Sequence, residues 1–293
     1  MQEIRFDSSD FRAAPARGHF VRDISSYTRV SSETAVYADE TLVALFCKSQ
    51  SIPAHPLSSA VTANQRRGWA AGIVESKPGD LLYKYDKSYV PLPKGSNVKA
   101  KRNKDGTLSP YNEGNKVYSG HFGYCEAGKN HRANVRAGKP KFSCAGHRPY
   151  AWVRKNPEKW EACNPYFEAI NAVMKQRMPV EWQQQRNLAD TCPVTMGGSV
   201  WTTGAVNRNF QTASHLDGDC EGSFSSLTTQ GDFLGGEFLL PQMKLAFSVQ
   251  PSDVLFCRTN MLWHCNAPIL SGTRVSVVCY LRGKLVGRNI GLY

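Results

Sequence analysis

From about residue 197 onward, short apolar or β-branched runs alternate with turn residues. The runs cover 199–206, 224–229, 237–240, 245–249, 254–257, 264–267 and 274–281. Asp217-Gly218-Asp219, Gly235-Gly236, Pro251-Ser252-Asp253 and Ser271-Gly272 punctuate them. Strands at this spacing predict a sandwich or jelly roll. Upstream the period changes. Phe167, Ile170, Val173 and Met174 recur at helical spacing. A helix is therefore expected from 164 to about 177, with that face in the core. Asn156-Pro157 and Asn164-Pro165 read as N-cap and N1 proline, and Met178-Pro179 as the stop. The fold class is α+β, mainly β: a jelly-roll core preceded by helices and basic loops.

The first half is less periodic. Residues 1–35 are polar and irregular. Residues 41–47 read as a buried strand, and 81–84 and 89–92 as weaker ones. Residues 94–104 form a basic loop before an Asp105-Gly106 turn. This divides the chain into a basic N-terminal region, 1–155, packing on the core and binding nucleic acid, and a second part, 156–293, of helices plus jelly-roll core. The 293 residues and 41% hydrophobic content suit a globular core. No apolar stretch approaches the roughly 18 residues of a membrane helix, and the N-terminus has no apolar run of the leader type. Nine cysteines without regular spacing suit free thiols in a reducing, intracellular compartment, the nucleus in a eukaryote. A monomer is expected.

Charge sharpens the picture. The formal net charge is +12. Residues 181–293 hold eight Lys/Arg and eight Asp/Glu, so the excess lies in 1–180. Between 129 and 155 there are eight Lys/Arg and no acid, with Tyr150 and Trp152 among them. Basic residues interleaved with aromatics suit a groove that tracks a nucleic-acid backbone and stacks bases, and DNA is the expected partner.

The neutral half carries the chemistry. His215 and Asp217 form an H-x-D pair, His264 follows, and Arg274 opens the last apolar run. Two imidazoles and a carboxylate make the triad that holds non-haem Fe(II) and leaves positions open for a cosubstrate and O2. Arg274 is placed to grip the distal carboxylate of 2-oxoglutarate. Ser276 lies on the same strand face and can add a hydroxyl contact. Asn207, Arg208 and Asn209 lead into the pair and would line the mouth. Asn209 is read as orienting the cosubstrate or contacting a base edge or, equally, as a turn residue, and Asn207 and Arg208 as substrate contacts. Arg282 is read as a surface charge, and Cys257 and Cys265 as packing. A possible structural zinc site has ligands Cys125, His131, Cys144 and His147, with His121 nearby.

The run Asn-Arg-Asn-Phe-Gln-Thr-Ala-Ser-His-Leu-Asp-Gly-Asp, at 207–219, resembles the metal-binding segment of the TET/JBP oxygenases. Gly235-Gly236 with Leu240-Pro241, Pro251-Ser-Asp-Val-Leu-Phe256, His264-Cys-Asn-Ala-Pro-Ile and Arg274-Val-Ser-Val-Val-Cys-Tyr-Leu-Arg282 are similar too. The likeness covers roughly 195–285; residues 1–120 carry none that can be placed. It implies a double-stranded β-helix with Fe(II) at its open end. It also implies oxidation, at the expense of 2-oxoglutarate and O2, of the 5-methyl group of a flipped-out pyrimidine in DNA. The base is 5-methylcytosine in TET-like members and thymine in JBP-like ones. Relatives usually carry a polar or acidic base-reading residue three positions after the ligand Asp. Here that position is Cys220, a poor hydrogen-bonder, and Asp219 stands one residue early. A carboxylate there would accept from the amino group of 5-methylcytosine, which places that base ahead of thymine. Other readings are an Fe(II)/2-oxoglutarate hydroxylase of RNA or protein, or a DNA-binding module on an inactive oxygenase fold.

Overall fold

The computed structural model describes residues 1–15, 17, 19–65, 70–77, 80–84, 116–127 and 147–287. The predicted segments 89–92 and 94–104, and residues 128–146 of the basic stretch, lie outside these. Strands β1 (Gln2–Phe6), β2 (Thr28–Val30), β3 (Thr34–Ala38), β4 (Thr41–Cys47), β5 (Thr62–Gln65), β6 (Ala70–Lys77), β7 (Asp80–Lys84), β8 (Lys116–Glu126) and β9 (His147–Pro149) come first. Helices α1 (Ala151–Lys155), α2 (Pro157–Glu161), α3 (Asn164–Arg177) and α4 (Pro179–Asp190) follow. The core is then built by β10 (Thr203–Arg208), β11 (Phe210–Thr212), β12 (Ser225–Gln230), β13 (Phe233–Gly235) and β14 (Phe238–Leu240). It is completed by β15 (Leu245–Phe247), β16 (Val254–Cys257), β17 (Cys265–Asn266), β18 (Ile269–Gly272) and β19 (Val275–Tyr280).

The larger sheet runs β1-β3-β4-β16-β12-β19-β10-β8-β5, with β9 added to β8. The smaller facing sheet runs β17-β14-β15-β2. Together they make the jelly roll. Strands from before residue 155 enter both sheets: β4 pairs with β16, β8 with β10 and β2 with β15. Between the sheets lie Leu227, Leu255, Phe238, Leu240, Leu245 and Phe247.

The period of two along β19 fixes what each side of the larger sheet meets. Val275, Val277, Cys279 and Leu281 point to the outer face, where α3 lays Phe167, Ile170 and Met174 on them. Ser276, Val278 and Tyr280 point inward and line a cavity. On α3 the predicted face is the buried one: Phe167, Ile170 and Met174 are fully buried, Val173 packs at the margin, and Tyr166 joins them. Tyr166 also shares a 2.8 Å hydroxyl hydrogen bond with Thr228.

The Met178-Pro179 stop ends α3, because a residue before proline is pushed out of the helical region. Met178 sits at φ −146°, ψ 65°. The same proline starts α4, which the sequence reading had not anticipated. Its buried side chains are the polar Gln185 and the small Ala189, a weak apolar signal. Gln185 Nε2 donates to the Val200 and Phe224 carbonyls, and its Oε1 accepts from the Phe224 amide. α4 is thus held by these polar contacts together with Ala189 in the core and Trp182 and Leu188 packed against it. Ser271-Gly272, read as a turn, lies within β18 opposite β13; Gly272 takes φ 79° there. Tyr150 and Trp152, expected to face bases, are engaged: Tyr150 stacks on His121 and Trp152 packs against the core. Among the described residues no helix is long and apolar enough to cross a membrane, and the eight described cysteines are free.

Phe167 sits at the centre of the helix–sheet contact with no exposure. Phe167→Ala should cost about 3–5 kcal/mol. The expected readout is a lowered urea midpoint at an unchanged slope; a midpoint within error of wild type would contradict the packing described.

Candidate active site

The centre of the cavity is a two-residue antiparallel bridge. The amides and carbonyls of His215 and His264 bond each other in both directions at 3.1 Å. This brings the two imidazoles to a centroid separation of 4.2 Å. Each ring is then turned by its own chain: His215 Nδ1 pairs with the Ala213 carbonyl at 2.8 Å and His264 Nδ1 with the Leu262 carbonyl at 3.0 Å. A carbonyl only accepts, so each Nδ1 carries the proton and each Nε2 presents a lone pair. Asp217 completes the set, its amide bonded to the Thr259 carbonyl. Its Oδ1 lies 3.3 Å from His215 Nε2 and its Oδ2 3.4 Å from His264 Nε2. The three ligand atoms fall within 4.8 Å of one another. Two nitrogens and one carboxylate, converging with lone pairs inward, fit an Fe(II)-type ion. The ring of Phe238 stacks on His264 at 5.5 Å and closes one side.

The electrostatics follow from this crowding. Burial works against the Asp217 carboxylate, but His264 and His215 more than offset it and hold it well below the usual range. Burial equally works against a charged His264, and Asp217 more than offsets that, so its pKa is raised. Asp219 goes the other way. Burial first, and then the neighbouring Asp217, push it up to about 7. Its Oδ2 accepts from Ser225 Oγ at 2.8 Å and from Thr259 Oγ1 at 3.2 Å.

The cavity holds about 410 Å³, in the range of small-ligand sites. Arg274 and Ser276 line one end, both buried, and Asn207, which pairs with Ser276 across β10 and β19, lies beside them. Arg274 is 4% exposed and its Nε has no hydrogen-bond partner among the described residues. Burial lowers its pKa to about 10 despite the nearby Glu237, which leaves it a cation. A buried cation with an unmet donor calls for an anionic acceptor. The Phe233 ring lies 5.6 Å from the guanidinium. Gly236, at φ 72°, makes room: a Cβ there would lie 2.7 Å from Arg274 Cδ.

Other predicted site residues fall elsewhere. Asn209 sits at φ 45° and spends its side chain on the backbone, accepting from the Arg274 amide at 2.7 Å and donating to Gly272. It braces the strand start, the turn role, and is absent from the cavity lining. Arg208 is exposed, with its guanidinium 4.3 Å from the Tyr118 ring centroid. It is one residue out of phase with inward-facing Asn207, so it points away from the cavity. Arg282, read as a surface charge, lines the cavity and is ion-paired with Glu126; the inward phase of β19 simply continues past the strand end. Cys257 and Cys265 are buried in the cavity wall. Sequence reasoning missed His121, Ser225, Thr259, Phe238 and Tyr280. Only Tyr280 had a legible signal, the inward phase of 274, 276 and 278. Of the zinc candidates, His131 and Cys144 lie outside the described residues. Cys125 Sγ bonds the Arg148 carbonyl, and His147 packs edge-on to Tyr124.

Residues 128–283, more than half of the chain, match the Tet_JBP family, described as the oxygenase domain of the 2OGFeDO superfamily. A bifunctional helicase and thymine dioxygenase JBP2 of Trypanosoma cruzi (strain CL Brener) is 32% identical over 184 residues, 55% of this chain and 16% of that one. Thymine dioxygenase JBP1 of Trypanosoma brucei brucei is 30% identical over 146 residues, 47% of this chain and 17% of that one. The chain thus matches only a small part of these relatives' length. Among solved structures, NgTET1 in complex with 5mC DNA is similar with a TM-score of 0.49 and 15% identity, covering 89% of this chain and 84% of that one.

Two outcomes test the site. Titration with Co(II), read by its visible ligand-field bands, should show binding by wild type and none by His215→Ala. Because His264 must be neutral to ligate and its pKa is raised, affinity should fall as pH drops through and just above the ordinary imidazole range, about 6.5. A fall that sets in only below the ordinary imidazole range would contradict the raising of His264 by Asp217, and a pH-independent affinity would contradict histidine ligation. Gly236→Ala should displace Arg274 and weaken 2-oxoglutarate binding by roughly tenfold or more, as for a lost charge-assisted contact, with Co(II) affinity retained. Calorimetry showing unchanged 2-oxoglutarate binding would refute the close approach.

Proposed function

The chain belongs to the Tet_JBP family, oxygenases of the 2OGFeDO superfamily, and from that premise we propose that it hydroxylates the 5-methyl group of a pyrimidine base in DNA. The observation that carries the reading is the arrangement within one cavity. A triad of lone pairs shares the cavity with a buried arginine whose Nε has no hydrogen-bond partner among the described residues, and with further polar side chains. Bound at His215, Asp217 and His264, Fe(II) would supply the activation of O2 against 2-oxoglutarate and the oxidising power needed at an unactivated methyl group.

The residues of this chain do the rest. Arg274 binds the distal carboxylate of 2-oxoglutarate and Ser276 adds a hydroxyl contact, which fixes the cosubstrate's direction. Leu227, Leu255, Val278 and Phe238 form the apolar wall that excludes water around the reacting methyl group. Asp219, held on one oxygen by Ser225 and Thr259, offers its other oxygen to the base edge. The methyl group of a stacked base cannot reach a centre this enclosed, so the target base must be flipped out. The basic excess of residues 1–180 supplies the sequence-independent grip on the DNA backbone. An intracellular, reducing compartment, the nucleus in a eukaryotic host, and a monomeric state go with this reading.

Two bases fit. Thymine is supported by relatives bearing the name thymine dioxygenase. 5-Methylcytosine is supported by the carboxylate of Asp219, an acceptor for its exocyclic amino group. The support from Asp219 is the weaker of the two, because a carboxylate accepts equally from the N3–H of thymine.

The test is nucleoside mass spectrometry after incubating the protein with duplexes containing thymine and 5-methylcytosine, Fe(II), ascorbate and O2, with and without 2-oxoglutarate. The expected result is a hydroxymethyl base that forms only when 2-oxoglutarate is present, and the base carrying it fixes the substrate. Formation without 2-oxoglutarate would contradict the role of Arg274. No oxidised base from metal-loaded protein would direct the search to RNA and protein substrates.

A further inference from the structure

The bridge between His215 and His264 is an isolated pair, outside any strand ladder. Around it the two ligand segments part company. β11, which leads to His215, pairs with β6, whereas β17, which follows His264, pairs with β14 in the smaller sheet. An ion held by both histidines therefore spans two sheets. Among the described residues the main-chain link between the two segments is the bridge itself.

The side chain of Asn266 crosses the gap beside it. Its Oδ1 accepts from the Thr212 amide at 2.6 Å, and its Nδ2 donates to the Phe210 carbonyl at 3.2 Å and the Ala267 carbonyl at 3.0 Å. A carbonyl and an amide so placed along one strand are the groups that a neighbouring strand would bond. Here a side-chain amide bonds them. An N–H only donates and a carbonyl only accepts, so one orientation of the Asn266 amide satisfies all three. Gln211 adds a second tie: its Nε2 donates to the Asn266 carbonyl at 3.3 Å and to the Val21 carbonyl at 3.1 Å. Asn266 is 7% exposed and Gln211 is fully buried.

The path from these ties to the metal ligands is short. Ala213, next after Thr212, holds the His215 ring through its carbonyl, and Asn266 stands two residues past His264. The Ser214 amide is bonded to the His19 carbonyl, and Val21 and Tyr27 pack against Cys265 and Ala267. Residues 19–27 precede the 128–283 stretch that matches the family, so part of this support comes from outside it. Asn266 lines the cavity, yet its amide is engaged on backbone groups, so it acts on the metal through the histidines.

We propose that Asn266, with Gln211, is a positioning residue for the metal: a side-chain rung that replaces a β-ladder between the two histidine segments and fixes the spacing of their Nε2 atoms before the ion arrives. The positioning role rests on the triad being a metal site; the rung does not.

The experiment uses the full chain with N266A, N266D, Q211M and a control, T228V, which removes the buried Tyr166 hydroxyl bond on the outer face of the larger sheet. The first arm is metal-free amide hydrogen exchange read by NMR. The His215 and His264 amides should exchange roughly tenfold faster in N266A and N266D than in wild type, beyond any change in global stability, and should be unaffected by T228V. The second arm is Co(II) titration read by the visible ligand-field bands. N266A should shift the bands and weaken binding by roughly tenfold or more, the range for partners that orient metal ligands. N266D sets an acceptor against two carbonyls and should bind no better than N266A. Q211M should act in the same direction by a smaller factor, and it decides the matter where the Asn266 variants fail to fold. T228V should melt earlier with wild-type bands and affinity per folded molecule. Asn266 variants that melt earlier but keep wild-type bands and affinity per folded molecule would overturn the positioning role. Equal weakening by T228V would overturn it too, by showing a general effect of lost stability. A wild type that binds no Co(II), while protection of the bridge still depends on Asn266, would overturn the metal reading and the positioning role together and uphold the rung.

Discussion

The alternation of side chains along β19 is the constraint from which the rest of the architecture follows. Its odd-numbered positions from Val275 to Leu281 join the helix-covered core, and its even-numbered positions from Arg274 to Arg282 line the cavity. A one-residue slip in its pairing with β10 and β12 would exchange the two sets. Ser276 and both arginines would then face the helices, and the valines would face the iron site. The outer packing of Phe167, Ile170 and Met174 therefore stabilises more than the helix: it holds the register that aims Arg274. Beside it, Asn209 secures the end of the strand through the Arg274 amide.

The metal site shows the same economy. Rings and backbone are oriented together: the His215–His264 bridge sets the spacing of the histidines, and the carbonyls two residues upstream set their tautomers. Asp217 sits between them, more acidic than usual because of its neighbours, while burial first and then Asp217 raise Asp219 behind it. Two carboxylates so close that their ionisations are pushed apart can take different roles, one as a ligand and the other as a polar group for the substrate.

Much of this was legible in the sequence because it depends on short-range periodicity. Residues 41–47 and 254–257 form strands at the expected bounds, and the 164–177 helix ends where Pro179 demands. The triad was legible because H-x-D and a distant His carry the chemistry in their side chains. What escaped depends on tertiary placement. Helix α4 buries only Gln185 and Ala189 fully, with Trp182 and Leu188 at the margin, too weak an apolar stripe to read. Arg282 looked like a surface charge because its partner, Glu126, lies 156 positions earlier. Asn209, read as either a cosubstrate contact or a turn residue, proved to brace the backbone, a choice set by its left-handed conformation, which sequence does not display. Strands β13 and β18 were hidden by the glycines that let them turn.

The inward face of β19 places Arg274 and Ser276 in the same cavity as the separately built triad of His215, Asp217 and His264. The most direct test of this arrangement is an anaerobic crystal structure with Mn(II) and 2-oxoglutarate. The expected result is a metal bonded by both His Nε2 atoms and Asp217, and the distal carboxylate on Arg274 and Ser276, with the Arg282 end left open. Metal density away from the triad, or the dicarboxylate seated on Arg282, would contradict it.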